Sequence, residues 1–581
     1  MLGKRYGVDD TAIDTTSKKS KYIFVTGGVM SGLGKGVVAA SIAKLLQLCN
    51  LKVSCMKIDP YLNVDAGTMN PLIHGEVFVT DDGGECDMDI GTYERFLDMN
   101  LTREHNITTG QIYSSVIERE RRGEYLGQCV QIIPHVTDEI KARIRGLAAK
   151  HALDVLVVEC GGTVGDIESL PFLEAMRQIR LEEGAENVLF AHVTLAPVLD
   201  VVGEIKTKPT QHSVQELRRI GIQPDIIAVR SKVILDPSIK SKIALFANVS
   251  MHDVVSCHDV DSIYEVPEVL QQQGIVERIK DRLRLNTDGF NWGPWMYVMN
   301  SYRRLKDGMI RIAMVGKYVK LADSYVSVNQ ALSNAGAILG YRVKIDRIDA
   351  EIFEHDINNL SILDDYSGIL VPGGFGKRGS EGIIRAADYA RLKDIPYLGI
   401  CFGFQLAIVA FARSVFMLDG ANSTELDEHT KHPVVHILPE QRDVVNLGGT
   451  MRLGLHEIEV KDGTLAYRIY KSSKIYKRHR HRYELNLEYK DILERHGMIF
   501  SGWSDDARRM EILELPDKRF YFAVQYHAEF TSRPGKPEEA FLEFIKAALE
   551  YSMLKRGVGA ESRSQSPRIQ KPRSKARSRR Q

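Results

Sequence analysis

Between residues 20 and 285 the apolar residues come in unbroken runs: YIFVT from Tyr22, KVSCMKI from Lys52, LDVLVVE from Leu153, NVLFAHVTL from Asn187 and PDIIAVR from Pro224. A strand with one wet face would alternate apolar and polar residues; continuous runs predict parallel strands covered on both faces by crossover helices. Helix-like segments separate the runs, so the pattern predicts a doubly wound α/β domain over 21–285. The stretch 286–308, NTDGFNWGPWMYVMNSYRRLKDG, breaks the rhythm with turn formers and two of the three tryptophans, and reads as an interdomain linker packed on the surface. Beyond it the alternation resumes with IRIAMVG, GILVPGG, IPYLGIC and YFAVQYH, predicting a second doubly wound domain over 309–553 that ends in the helix-like PEEAFLEFIKAALEYSML. Residues 1–20 are expected to be a flexible extension and 554–581 a disordered basic tail, and no internal repeat is visible.

Composition narrows the class. With 44% hydrophobic and 26% charged residues, and no uninterrupted apolar stretch long enough for a bilayer, the chain reads as soluble. Its seven cysteines are scattered and never in a C-x-x-C pair, which argues against a disulfide framework or zinc site and for a reducing, cytoplasmic compartment. The net charge of +1 hides an asymmetry: residues 555–581 hold ten Lys or Arg against Glu561 alone, leaving 67 basic and 75 acidic residues, a net of −8, for 1–554. Such a tail has too few apolar groups to offset its ordering entropy and is expected to be disordered; separately, no nucleic-acid partner is expected beyond weak contact by the tail.

Two stretches carry chemistry. YIFVTGGVMSGLGKGVVAAS, from Tyr22, passes from a strand-like run through a glycine-dense loop with Lys35 into a helix-like segment, the layout of a phosphate-binding loop. The strict pattern G-x-x-x-x-G-K-[ST] fails, because Val29 stands at the first glycine and Gly36 follows the lysine. In the second domain Gly399-Ile400-Cys401-Phe402-Gly403 joins a buried run to a helix, the layout of a nucleophile elbow with cysteine as nucleophile. VQYHAEF sets His527 and Glu529 two apart at an expected strand end, where a carboxylate can orient an imidazole, and Gly373-Gly374 closes another strand with backbone N–H groups free for an oxyanion.

These three motifs resemble the class I (triad-type) glutamine amidotransferases, a flavodoxin-like fold. The resemblance implies a triad of Cys401, His527 and Glu529, an oxyanion hole involving Gly374, and glutamine held by Gln405, Glu425 and Arg482. Ala528 departs from it, since the family usually has proline there. The stretches around the phosphate loop, including MKIDPYLNVDAGTMNPLIHGEVFVTDDGGECDMDIGTYERF, VVECGGTVGDIESLPFLEA and GEIKTKPTQHSVQELRRIGIQPD, resemble the CTP synthase family, and from about Tyr22 to Met553 the likeness is nearly unbroken. It implies a P-loop-like (Rossmann-like) synthetase domain that aminates UTP with ATP and glutamine-derived ammonia. ATP would be held by Ser31, Gly32, Leu33, Gly34, Lys35, Gly36, Lys57, Arg230, Asp259 and Val260. UTP, or inhibitory CTP, would be held by Ser31, Asp166, Ile167, Glu168, Lys206, Thr207, Lys208, Pro209, Thr210, Gln211, Lys242 and Phe246, drawn from more than one subunit of a homotetramer. Mg²⁺ would sit on Asp89 and Glu159, and GTP would activate glutamine hydrolysis from an unassigned site. Two rival readings are another amidotransferase-coupled ligase, against which KTKPTQHS and GDIES speak, and an inactive filament scaffold, against which the intact candidate residues speak.

Overall fold

The computed structural model describes residues 19–199, 203–287, 289–306, 308–441 and 448–564, with side chains through 555. All five N-terminal runs form strands of one seven-stranded parallel sheet, in the order Val254–His258, Ile226–Ser231, Val188–Leu195, Lys21–Gly27, Val155–Cys160, Val53–Asp59 and Asn106–Thr108. Every residue of Val53–Asp59 and Val155–Cys160 is buried, the physical meaning of the unbroken apolar runs. Lys21–Gly27 lies at the centre, and the strands that flank it, Val155–Cys160 and Val188–Leu195, lead to opposite halves of the sheet. Such a switch point opens a crevice at the carboxyl ends of the strands, where the glycine-rich loop emerges.

The second sheet has nine strands. Arg342–Asp349, Met309–Gly316, Gly368–Val371, Tyr397–Ile400 and Tyr521–Val524 run parallel in the flavodoxin order. Arg509–Glu514, Ile499–Ser504, Arg452–Val460 and Lys474–His481 then extend it antiparallel. The doubly wound reading covers the first five strands and not this extension.

Two segments differ from the sequence reading. Residues 286–308 contain a helix, Gly293–Arg303, whose Trp295, Val298 and Met299 join the core of the N-terminal domain. Trp295 is 3% exposed and donates its indole N–H to the Tyr264 carbonyl at 3.0 Å, so the linker is anchored and not merely laid on the surface. The last helix continues past Met553 to Ser564, with no proline before Pro567 to stop it. Residues 1–18, most of the expected N-terminal extension, and 565–581 of the basic tail lie outside the described residues.

Edge strand Lys474–His481 joins the two sheets' domains. Arg478, fully buried, reaches Glu94 at 2.9 Å, Asp81 at 2.6 Å and the Val79 carbonyl at 3.1 Å. Arg533 meets the same Glu94 at 2.6 Å, and Arg480 pairs with Glu85 at 2.8 Å. The Arg/His run 478–482 is therefore mainly an internal seam. Glu94 is wholly buried between two guanidiniums, and removing one partner of such a cluster leaves charge uncompensated in low dielectric. Glu94→Gln is expected to destabilise the seam by about 3–5 kcal/mol, read as a first urea transition at lower concentration, with Glu94→Asp intermediate.

Candidate functional site

Cys401 stands between strand Tyr397–Ile400 and helix Phe402–Ser414, with φ 51° and ψ −96°, a strained conformation that aims the side chain off the sheet's end. Its neighbours are glycine for steric reasons. A Cβ on Gly399 would lie 2.8 Å from the Gly403 backbone, and one on Gly403 would lie 2.4 Å from the Val371 carbonyl oxygen. Cys401 is 2% exposed; its Sγ lies 3.7 Å from the Arg480 carbonyl oxygen and accepts from Gln525 Nε2 at 3.7 Å.

His527 and Glu529 do meet, with Nδ1 2.7 Å from Oε1, but not at a strand end. The strand stops at Val524, and His527 instead precedes a 3-10 turn, Ala528–Thr531. A tight turn folds residues i and i+2 back together, where an extended chain would hold them roughly 6.6 Å apart. Burial would lower the imidazole pKa, yet the Glu529 carboxylate and negative charge on the adjoining Cys401 sulfur outweigh it and raise the group to about 10. His527 Nε2 is buried and has no hydrogen-bond partner among the described residues, leaving it free for proton transfer.

Gly373, Gly374, Tyr318, Cys401, Arg480, His527 and Glu529 line a cavity of about 60 Å³, closed from the other domain by Pro71, Glu76 and Val77. The four expected glutamine contacts divide. Gly374 lines the cavity; Gln405 stands behind Gln525, donating to Tyr483 O at 2.8 Å and Gln525 Oε1 at 3.4 Å. Glu425 accepts from Gly376 N at 2.6 Å, whereas Arg482 turns to Gln441 and Thr450 and is not part of the cavity wall.

The phosphate loop carries the second site. Gly34, at φ 84°, caps helix Lys35–Gln47, and Val29 adopts φ 81° where the strict motif has glycine. Lys35 Nζ donates to the Gly162 carbonyl at 2.8 Å. Gly36 has a clear cause: a Cβ there would lie 2.0 Å from Asp89 Oδ1, so the carboxylate fills the place of the motif's missing hydroxyl. Asp89 and Glu159 converge on Lys57, whose Nζ contacts Asp89 and lies 3.1 Å from Glu159 Oε1, with Asp87 at 3.7 Å and Asp59 at 3.9 Å. Burial pushes the Glu159 carboxyl up, reinforced by Asp89; burial also pushes Asp89 up, but the Lys57 ammonium prevails and holds it below its usual range. This is more negative charge than one ammonium balances. Asp89 and Glu159 are a pair of hard oxygen donors of the kind Mg²⁺ takes when phosphate and water complete its shell.

Ser31 to Gly36, Lys57, Asp89, Glu159, Asp166 and Glu168 surround one cavity of about 660 Å³, with Asp323, Val326 and Gln330 contributed by the C-terminal domain. Other expected nucleotide residues lie elsewhere. Arg230 pairs with Asp259, next to Val260, at 2.6 Å, outside that wall. Helix Lys208–Arg219, with Pro209 in its first turn, follows Lys206 and Thr207 and carries Lys208, Thr210 and Gln211. Lys208 Nζ lies 5.7 Å over the Phe246 ring, and Lys242 shares the Phe246 helix, Pro237–Ala247. One chain thus holds Asp166 and Glu168 beside the phosphate loop but not the lysines expected to share their ligand. Ile167, between them, is 79% exposed. Gln525 and Arg480 were missed: Gln525 was legible only as a neighbour of His527, and Arg480 only as the middle arginine of RHRHR.

The family described as CTP synthase N-terminus matches residues 21–285, and that described as glutamine amidotransferase class-I matches 320–547. A protein named CTP synthase from Pyrococcus abyssi is 56% identical over 537 residues, 92% of this chain and 99% of the relative. A CTP synthase from Geobacillus kaustophilus is 52% identical over 531 residues, 91% and 100% of the two chains. A solved structure described as the Trypanosoma brucei CTPS glutaminase domain with bound acivicin aligns with 42% of this chain and 94% of its own, at 37% identity and a TM-score of 0.39. Matched by both families in order, and identical to relatives at more than half of the aligned positions along nearly their whole length, the chain belongs to the CTP synthase family of ligases.

Proposed function

We propose that this ligase aminates UTP to CTP with ATP, using ammonia that Cys401 releases from glutamine. The carrying observation is that the two cavities share a wall. Pro71, Glu76 and Val77 line the cysteine cavity while His74, within the same segment, lines the phosphate-loop cavity. Ser324 and Tyr325 face the first and Asp323 and Val326 the second. The two segments are tied by Glu76 N to Asp323 O and Ser324 Oγ to Pro71 O, both 2.9 Å. In this reading a small neutral product formed on one side would pass across this shared wall to the other, which would limit its escape or protonation.

In this reading the Cys401 thiolate attacks the glutamine carboxamide carbon, the oxyanion rests on backbone N–H groups near Gly374, and the His527 imidazolium protonates the departing ammonia. Glu529 keeps the imidazole oriented. A water, deprotonated by His527, then cleaves the thioester to glutamate. In the other cavity Lys35 and the loop N–H groups cradle the phosphates of ATP, the uracil O4 takes the γ-phosphoryl group, and ammonia displaces phosphate at C4. Asp89 and Glu159 would hold Mg²⁺, which when bound neutralises developing phosphate charge.

Finer features of the reading have separate supports. Ile132, Ile133, Ile167 and Leu62 are large, more than half exposed and grouped around one apolar cavity, which favours assembly into the homotetramer that would complete the UTP site with Lys206 and Lys242 of another copy. CTP feedback through Asp166 and Glu168, GTP activation, filament formation and the division into 21–285, 286–308 and 309–553 belong to the same proposal. A cytoplasmic site rests on the scattered cysteines, and no described helix is long and apolar enough to cross a membrane.

The reading is tested by following UTP conversion to CTP with glutamine or with ammonium. Cys401→Ala is expected to abolish glutamine-dependent synthesis by several powers of ten while ammonium-dependent synthesis persists, since no other atom can form the thioester. Gly36→Ala is expected to do the reverse in one respect: by displacing Asp89 it should cut synthesis from both nitrogen sources at least about tenfold, with glutaminase activity retained, and restored ammonium-dependent turnover would remove Asp89 from the site.

A further inference from the structure

We infer that Lys317 is the positioning residue of the oxyanion hole, a buried cation that locks its two halves together; this rests on the reading of Cys401 as nucleophile. In a nucleophile elbow one oxyanion donor is the N–H of the residue after the nucleophile, here Phe402, and the other comes from a neighbouring strand–helix loop, here Gly373 to Gly376. Lys317 touches both. It follows strand Met309–Gly316, is 3% exposed, and donates from Nζ to the carbonyl oxygens of Phe375, at 2.9 Å, and Gly376. The same Nζ lies 4.2 Å over the centre of the Phe402 ring. A Cβ added to Gly374 would lie 3.6 Å from both Lys317 Cδ and Phe402 Cδ1, so Gly374 is bracketed by the lysine stem and the aromatic ring.

The clamp fixes a peptide plane. The Phe375–Gly376 peptide has its oxygen on Lys317 and its N–H on Glu425 Oε1 at 2.6 Å, so it cannot rotate without breaking a charged hydrogen bond at each end. The loop's N–H groups are thereby preorganised toward where charge develops, the arrangement that stabilises a transition state without reorganising during reaction. Arg378 adds a further tie by donating to the Lys317 carbonyl. Burial lowers the ammonium pKa to about 8 against the opposing charges of Glu425 and Glu354, with Arg378 adding to the lowering. Lys317 is therefore charged below pH 8 and loses its grip above it.

The test uses the full-length enzyme, Lys317→Met and Lys317→Arg. Lys317→Met should lower glutamine-dependent kcat at least about 100-fold with the glutamine KM within about threefold, the size of loss expected for one oxyanion donor. Ammonium-dependent synthesis and the rate of Cys401 alkylation by iodoacetamide should stay within about twofold, which shows that fold and thiolate survive. Lys317→Arg should recover at least about a tenth of wild-type kcat, and the fall in glutamine-dependent kcat expected above about pH 8 as Lys317 loses its proton should move to higher pH. A Lys317→Met kcat within threefold of wild type overturns the inference, as does a parallel fall in ammonium-dependent synthesis and alkylation, which would make Lys317 a general structural prop. Failure of the underlying reading looks different: alkylated wild-type enzyme would still consume glutamine.

Discussion

The buried seam along Arg478, Arg480 and Arg533 is the interaction on which the rest depends. Three guanidiniums from one domain enter a row of carboxylates, Asp81, Glu85 and Glu94, from the other. Phe78 and Phe530 pack edge to face beside them at 4.9 Å, and Glu94 and Arg478 are wholly buried, while Asp81 at the rim keeps part of its side chain in water. Buried ion pairs are poor stabilisers relative to apolar contacts of the same volume, but they are exacting about geometry, because a misplaced partner leaves a naked charge. That exactness fixes how the Pro71–Val77 segment lies against Asp323–Ser327, and hence how the two cavities adjoin.

Each site reuses one steric device. Glycine stands where a neighbour's functional group must approach: Gly36 admits the Asp89 carboxylate, Gly373 admits the His527 ring, and Gly399 and Gly403 let strand and helix close around Cys401. Where the strict motif of the phosphate loop has a hydroxyl residue, Gly36 leaves room for a carboxylate from another element, Asp89. The cost is the burial of several acids together, which Lys57 offsets in part.

The edge strand shows how one short sequence can serve three surfaces. In RHRHR the period of two sends Arg478 and Arg480 toward the other domain, while His479 and His481 face the opposite side of the sheet near Glu511 and Arg452. Burial lowers the His479 pKa to about 4 despite Glu511, so it serves as a neutral hydrogen-bonding core residue there. Arg480 also offers its carbonyl to Cys401, tying the seam to the elbow cysteine.

By itself the sequence determined the parallel strands, the elbow at Cys401, the phosphate loop at Lys35 and the pairing of His527 with Glu529, because each is written in residues close together in the chain. Continuous apolar runs specify two-sided burial, and glycines at fixed offsets specify close backbone approach. What only the tertiary structure decided are contacts between distant segments. Trp295 became core once Tyr264 offered a carbonyl, RHRHR became a seam once Glu94 lay opposite, and Lys317, 84 residues before Cys401 and marked by no local signal, reached Phe402 through the parallel order of the strands. Pattern records which face of an element is buried; it does not record against what, since partner choice is set by packing over hundreds of residues.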